Sequence, residues 1–548
     1  MGKLPEIVFS LIIIALLVSC INKDEKVNNS AKLPTISVTK VIPSPTVLPY
    51  IRFTNPMPMP DVVAPQLIES EDCRGVYNMG SNLCYELQVY EDRSNPNSKI
   101  ITLPVIIIKR GKNHESNDSI LFLSGEPLEI GNYFYSGVGF NRGKPPKISF
   151  SGFKNLDQNI VVIGGRTAEI SAWNHCSISG NGQHFSNPEF APNEFRVQQI
   201  CLKEFKGKDI EISSYTSLAT AADIEDLRTV LGVEKWNIFG TSYGSRIGFS
   251  VMEQYPDTAR SAVFDSVVPP QINLFRFTPL TAEDKGSLSY LLKKCKEDAI
   301  CNSAYPNLED TLINVIEDLN ANPIEITFSI CAGGGVCKPG GLYLLNGYKF
   351  VDVIFNFMKS EQMAYDVPRL IYDAKNKDFD RFRRFVYSSS TFYSPFNNSW
   401  SILGISHICM DESPIKVDGK VFETTNRLDE LLFPYFQSQV NLNADICINL
   451  MANNPNVDHN QPVQSNTPVL LLAGEYDPVT PVSWAKMALV SLPNSKLIEF
   501  QGYGHEVTFS NAQDCVASLL NGFWDNPFSP LDISCVSKLK QPGFAPKQ

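Results

Sequence analysis

The chain has 548 residues, 43% of them hydrophobic and 19% charged, with a formal net charge of -11. That length exceeds one simple core and calls for a core carrying a large insertion. The acidity argues against nucleic acid or an anionic membrane surface as a partner and mainly supports solubility.

At the N-terminus, Lys3 precedes an apolar run from Ile7 to Val18, which ends in Ser19 and Cys20. The run is too short for a comfortable membrane span and has the layout of a secretory signal. Leu17-Val18-Ser19-Cys20 resembles the lipobox of bacterial lipoproteins, in which the cysteine is acylated and becomes the mature N-terminus. Residues 1–19 are therefore expected to be a signal peptide, with Cys20 the lipidation site on the extracytoplasmic face of a bacterial membrane. Residues 20–65 read as a tether: Pro43, Pro45, Pro49, Pro56, Pro58, Pro60 and Pro65 favour an extended chain that cannot bury a core.

The core is expected to begin with antiparallel strands around Cys84–Val89 and Ile100–Ile108. Buried-type runs follow at Ile120–Leu123, Ile160–Ile163, Trp236–Phe239 and Ala262–Val268, and later at Val469–Leu472 and Lys496–Phe500. Between Thr216 and Gly232, Ile224, Leu227 and Leu231 share one helical face and Gly232 supplies the stop. Strands alternating with helices predict an α/β fold with a mostly parallel central sheet. Between 276 and 450 the alternation fails, and helical patterns such as Leu288–Ala299, Leu308–Leu319 and Tyr348–Met358 dominate. This segment reads as a large, mainly helical lid inserted after the sixth strand, dividing the core into 66–275 and 451–548.

The segment Trp236-Asn237-Ile238-Phe239-Gly240-Thr241-Ser242-Tyr243-Gly244 joins an apolar run to Gly-x-Ser-x-Gly and then to a helical pattern of Ile247, Val251 and Tyr255, stopped by Pro256. A strand turning sharply into a helix lifts the central serine above the sheet, and only small flanking residues permit the turn. The helix N-terminus beneath Ser242 favours a developing negative charge. A serine nucleophile needs a base, and the base an orienting acid. Among six histidines, His505 stands in Gln501-Gly502-Tyr503-Gly504-His505 just after a strand. Asp477 follows another strand, in Ala473-Gly474-Glu475-Tyr476-Asp477-Pro478-Val479-Thr480-Pro481; Asp265, at the end of Ala262-Val263-Phe264-Asp265, is its competitor. The order Ser242, Asp477, His505 is the one an α/β-hydrolase fold imposes. His114 and the remaining histidines read as surface or packing residues.

Thirteen cysteines become an even twelve once Cys20 is set aside, the arithmetic of a disulfide framework in an exported protein. Neighbours in sequence offer the pairs Cys73–Cys84, Cys176–Cys201, Cys295–Cys301, Cys331–Cys337, Cys409–Cys447 and Cys515–Cys535, though spacing alone leaves connectivity open. Cysteine and histidine spacing is poor for a metal site, and the Gly333-Gly334-Gly335 loop lacks phosphate-loop spacing, so no cofactor is expected.

Taken with Ala222-Asp223-Ile224-Glu225-Asp226-Leu227-Arg228, Gln254-Tyr255-Pro256, Val268-Pro269-Pro270 and the segment Cys515 to Cys535, these motifs resemble secreted α/β-hydrolase peptidases of the tripeptidyl aminopeptidase kind, relatives of the prolyl aminopeptidases. The resemblance implies a triad of Ser242, His505 and Asp477, a peptide substrate, and release of residues or short peptides from peptide N-termini. The backbone N–H of Tyr243 would form one half of the oxyanion hole and that of Glu126 the other. Met410-Asp411-Glu412 beside Cys409 resembles a Cys-x-Asp element of the family, making Asp411 and Glu412 candidates for binding the substrate's α-ammonium group; a solvated acidic pair is the alternative. Two departures stand out. Glu126 replaces a glycine of the family's Gly-Gly-Pro-Gly, and Gly164-Gly165-Arg166-Thr167 keeps only the arginine of its Asp-Gln-Arg-Gly. A carboxylesterase using the same triad, and a catalytically weak surface binding protein, are the competing readings.

Overall fold

Strands β4 (Ile120–Leu123, Ile-Leu-Phe-Leu) and β5 (Ile160–Ile163, Ile-Val-Val-Ile) contain no polar residue and are buried along their whole length. Such strands are stable only with both faces of the sheet covered. The computed structural model describes residues 65–70, 82–109, 119–125, 153, 156, 158–166, 210–274, 285–332, 336–390, 402–412, 426–450, 460–541 and 543–544. The expected signal peptide, Cys20, most of the tether and Glu126 lie outside these residues.

Nine strands form one sheet: β1 (Gln66–Glu69), β2 (Asn82–Tyr90), β3 (Ile100–Ile108), β4, β5, β6 (Trp236–Thr241), β7 (Ala259–Asp265), β10 (Val469–Gly474) and β11 (Ser495–Phe500), in spatial order β1-β2-β3-β5-β4-β6-β7-β10-β11. The first three are joined antiparallel and β3 meets β5 antiparallel; the pairs from β5 through β11 are parallel. β1 escaped the sequence reading because Gln-Leu-Ile-Glu is too short and too exposed to carry a pattern. The lid accordingly follows a seventh strand rather than a sixth.

Period-two alternation divides the core. Leu121, Leu123, Val161, Ile163, Ile238, Phe264 and Leu471 face one layer, which contains α1 (Ser217–Leu231), α2 (Tyr243–Gln254) and α12 (Val482–Leu489). Ile120, Phe122, Ile160, Val162, Phe239, Val263 and Leu470 face the other, filled by Phe153 and by α13 (Gln513–Asp525) with Trp524. Helix α1 begins where the Thr216 hydroxyl accepts the Ala219 N–H and ends at Gly232, whose φ of 67° is left-handed, as its sequence signals predict.

The inserted region has its own apolar core, built around Leu291, Leu312, Phe350, Ile354 and Leu370. Helices α3 (Leu288–Glu297), α4 (Ala299–Ala304) and α5 (Leu308–Ala321) precede a hairpin of β8 (Ile324–Ala332) and β9 (Val336–Leu345); α6 (Gly347–Met358), α7 (Glu361–Ala364), α8 (Val367–Lys375), α9 (Asp380–Ser390), α10 (Ile402–Asp411) and α11 (Arg427–Leu450) follow. The hairpin was not foreseen, and the expected helix over 288–299 is two. Asp298 ends α3 and caps α4 by accepting the Cys301 N–H at 2.8 Å. A disulfide between Cys295 and Cys301 spans the break.

Cys409–Cys447 and Cys515–Cys535 are also bonded, as sequence neighbours suggested. Cys84 is disulfide-bonded, while Cys73, Cys176 and Cys201 lie outside the described residues. The β8–β9 register sets Cys331 opposite Cys337. Among the described residues no helix is long and apolar enough to cross a membrane.

Candidate active site

Strand β6 delivers Ser242 into a φ of 51° and ψ of -124°, a region that non-glycine residues occupy at a cost of about 1–3 kcal/mol. Its surroundings enforce that conformation. The Ser242 N–H donates to the Asp265 carbonyl at 2.9 Å, and its carbonyl accepts from the Ser245 hydroxyl at 2.6 Å. A Cβ on Gly240 would lie 2.7 Å from the Gly244 oxygen, and one on Gly244 would collide with the carbonyls of Leu123 and Ser124. Both glycines of the elbow are thus required by close backbone approach, and the loop after β4 lies directly against the start of α2. Glu126, the expected second oxyanion donor, belongs to that loop but falls outside the described residues.

The loops after β10 and β11 are laced together by backbone and side-chain bonds. Tyr476 N–H donates to the Tyr503 carbonyl at 2.8 Å, and Gly502 N–H donates to the buried Glu475 carboxylate at 2.7 Å. In this frame His505 Nδ1 lies 2.8 Å from Asp477 Oδ2. Asp477 is fully buried and His505 is 14% exposed. The remaining lone pairs of Asp477 accept from Val479 N–H at 2.8 Å, Thr480 N–H at 3.0 Å and the Thr480 hydroxyl at 2.5 Å. Burial alone would raise the Asp477 carboxyl, but the charge and hydrogen bond of His505 and the bonds from Thr480 hold it below the usual carboxylate range. For His505 burial works downward, and Asp477, joined by Glu506, outweighs it and raises the imidazole above the ordinary histidine value.

Of the two acids weighed from the sequence, Asp477 is the one the fold brings to His505. Asp265 instead accepts the N–H groups of Val507 and Thr508, at 3.2 and 2.7 Å. The nucleophile and base loops meet where the Thr241 hydroxyl, one residue before Ser242, donates to Glu506 Oε1 at 3.1 Å, one residue after His505. The inserted region reaches the same point: His505 N–H donates to the Lys359 carbonyl at 2.9 Å, and the Tyr290 hydroxyl donates to Glu475 at 2.6 Å.

Asp411 and Glu412 are 1% and 2% exposed, so they are no solvated pair. Asp411 accepts from the Ser217 N–H at 2.8 Å and from the Tyr243 hydroxyl at 3.0 Å. Glu412 pairs with Arg246 at 2.9 Å and accepts the Leu274 N–H at 2.5 Å. These bonds from protein donors fasten the end of α10 to the first turns of α1 and α2. Burial, then the Asp411 charge, push the Tyr243 phenol well above its usual range, so it stays a hydroxyl donor. Arg166, retained from the family pattern, is a structural cation: it pairs with buried Asp223 at 2.7 Å and donates to the carbonyls of Glu91, Ser214 and Tyr90. His407 is buried near Tyr243, with ring centroids 6.2 Å apart, and packs as expected. Thr480, Glu475, Tyr290 and Lys359 had no standing in the sequence reading. Only Thr480 left a signal, an Asp-x-x-Thr spacing suited to a turn in which the aspartate accepts the following N–H groups. Among the described residues no group of three or more histidine, cysteine or acidic side chains is placed to hold a metal ion.

A mostly parallel sheet bearing a strained serine between strand and helix, with a histidine–aspartate pair on later loops, gives this chain an α/β-hydrolase fold. Residues 182–284 match the family model described as alpha/beta hydrolase fold. Residues 433–535 match the model described as TAP-like protein. It is 23% identical over 349 residues to the serine protease Hip1 of Mycobacterium tuberculosis, covering 59% of this chain and 62% of that relative. To the tripeptidyl aminopeptidase of Streptomyces lividans it is 29% identical over 216 residues, 37% of this chain and 38% of the relative. The match thus spans about three-fifths of the length of the first relative and less of the second. A solved esterase, RhEst1 from Rhodococcus sp. ECU1013, is 12% identical with a TM-score of 0.33, covering 81% of this chain and 98% of that one.

Proposed function

We propose that the protein is an exported serine exopeptidase that removes residues or short peptides from the N-termini of peptides. The observation that carries the reading is the His505 Nδ1–Asp477 Oδ2 contact of 2.8 Å beside a strained elbow serine. Ser242 Oγ attacks the scissile carbonyl carbon while His505 Nε2 takes its proton, and Asp477 holds the Nδ1–H tautomer and offsets the imidazolium charge. The Tyr243 N–H donates to the oxyanion, with the helix N-terminus behind it, and the N–H of Glu126 is its proposed companion. As the tetrahedral intermediate collapses, the C–N bond breaks and His505 returns the proton to the departing amine. Water, deprotonated by the same imidazole, then cleaves the acyl-enzyme and restores Ser242.

The peptide substrate is supported by the names of the relatives, a serine protease and a tripeptidyl aminopeptidase. Attack at chain ends is supported by the name of the second relative, a tripeptidyl aminopeptidase, and by an inserted region whose Lys359 carbonyl and Tyr290 hydroxyl bond the two catalytic loops. Peptides with a free N-terminus are expected to lose N-terminal fragments, and acetylation of that amine to lower kcat/KM by about a hundredfold, since an exopeptidase of this kind must recognise the charged amine. Equal cleavage of acetylated peptides would contradict the exopeptidase reading. Hydrolysis of short acyl esters with no cleavage of peptides would reassign the enzyme as an esterase.

Anchoring at the extracytoplasmic face is part of the proposal and rests on Leu17-Val18-Ser19-Cys20 at the end of an apolar run. Cys20→Ala is expected to move the protein from the membrane fraction to the soluble fraction with hydrolysis retained. A variant still pelleting with membranes would remove Cys20 from that role.

A further inference from the structure

Five non-glycine residues among those described have a positive φ, and three of them, Ser242, Ser266 and Glu506, meet at one point beside Asp265. Asp265 ends β7 with its carboxylate fully buried. Its backbone carbonyl accepts the N–H of Ser242, and its carboxylate oxygens accept the N–H groups two and three residues beyond His505. The next side chain, Ser266, accepts the Glu506 N–H at 2.7 Å. Glu506 must turn through φ 59° and ψ 66° to lead the chain from His505 into the 3-10 turn Val507–Phe509, whose first N–H groups are the ones Asp265 accepts. A left-handed glutamate persists only when its surroundings hold it there.

We propose that Asp265 is a positioning residue for the reaction, a second acid that locks the His505 loop in register with the nucleophile and does so in its ionised form. The inference rests on the proposed Ser242–His505–Asp477 triad and adds to it a residue that touches neither substrate nor imidazole. A carboxylate presents strong acceptors to both N–H groups, whereas protonation leaves one oxygen a hydroxyl, a weaker acceptor for its N–H. The titratable groups facing Asp265 are Glu506 and His505, both on the base loop; its partners on the adjacent strands are Thr241 and Leu472. Burial pushes the Asp265 carboxyl up to about 6, against the pull of the Thr508 N–H bond and the His505 charge and with the help of Glu506. The working, ionised form is therefore present above about pH 6 and lost below it. His505 must be neutral to act as base and is also lost as pH falls, so two protons silence the site on its acid side.

The test follows kcat and KM for a peptide substrate, together with the rate of fluorophosphonate labelling, across pH in the full-length wild type and in Asp265→Asn and Ser266→Ala. The wild type is expected to show an acid limb of kcat/KM that steepens to a slope of two below about pH 6. Asp265→Asn, which sets an amide donor against a backbone donor, is expected to lower kcat by roughly ten- to a hundredfold with KM within about twofold, and to reduce the limb to one proton. Ser266→Ala should lower kcat by less and keep the two-proton limb. A one-proton limb in the wild type, or an Asp265→Asn enzyme with wild-type kcat, overturns the proposal, and the first of these needs no variant to fold. Mapping the adduct separates the two readings: label absent from Ser242 refutes the triad itself, whereas label on Ser242 with a one-proton limb refutes only the role of Asp265.

Discussion

Ser242→Ala is expected to lower turnover by about a millionfold while leaving KM and thermal stability nearly unchanged, because in the proposed triad the nucleophile and its base act as a unit and the remaining groups cannot substitute for either. The folded state has little to lose. The Ser242 hydroxyl is not what holds the elbow; that work falls to the Asp265 carbonyl, the Ser245 hydroxyl and the close approach of Gly240 and Gly244. Alanine also accepts the strained φ no worse than serine. A residual rate of about a thousandfold over water is expected from the oxyanion donors alone. Turnover within tenfold of wild type would mean that another residue attacks the substrate.

Asp477→Asn is the second large effect, with an expected fall of about ten-thousandfold in kcat. The carboxylate fixes the Nδ1–H tautomer of His505; an amide presents a donor at the same position or forces the ring to turn its basic nitrogen away from Ser242. The pH profile gives an independent readout. In the wild type the Asp477 charge helps raise His505 above its ordinary value, so the base is protonated and inactive below a pH higher than 6.5, the ordinary value. Removing that charge lets the imidazole value fall, and the acid limb of the residual activity moves to lower pH. Asp265→Asn should cost at most about a hundredfold, so the ratio of the two variants distinguishes the orienting acid from the positioning one. A reversed order would reassign the acid to Asp265.

The buried strands were legible because Ile120–Leu123 and Ile160–Ile163 are continuous apolar runs, and the elbow because Gly240, Ser242 and Gly244 sit between such a strand and an amphipathic helix. Helix α1 announced both its ends through Thr216 and Gly232. The choice of Asp477 over Asp265 could be ranked but not settled from one sequence, since one follows and the other ends an apolar strand and both precede His505. Their difference lies in register: Asp265 meets the amides after the histidine and Asp477 meets the ring. The burial of Asp411 and Glu412 was not legible because their partners, Ser217, Tyr243, Arg246 and Leu274, are more than 130 positions away. Local patterning carries no information about such distant donors. The hairpin β8–β9 was missed for a related reason: its second strand carries Lys338, Pro339, Gly340 and Gly341, a composition that speaks against a strand until pairing with Ile324–Ala332 overrides it.

The central claim is that Ser242 is the nucleophile of a working triad, and the most direct measurement is peptide mapping after reaction with a fluorophosphonate at neutral pH. The account predicts one adduct, on the peptide containing Gly240-Thr241-Ser242-Tyr243-Gly244, formed rapidly by the wild type, slowed by about ten-thousandfold in Asp477→Asn and absent in Ser242→Ala. An adduct on any other residue, or labelling that persists in Ser242→Ala, would contradict it.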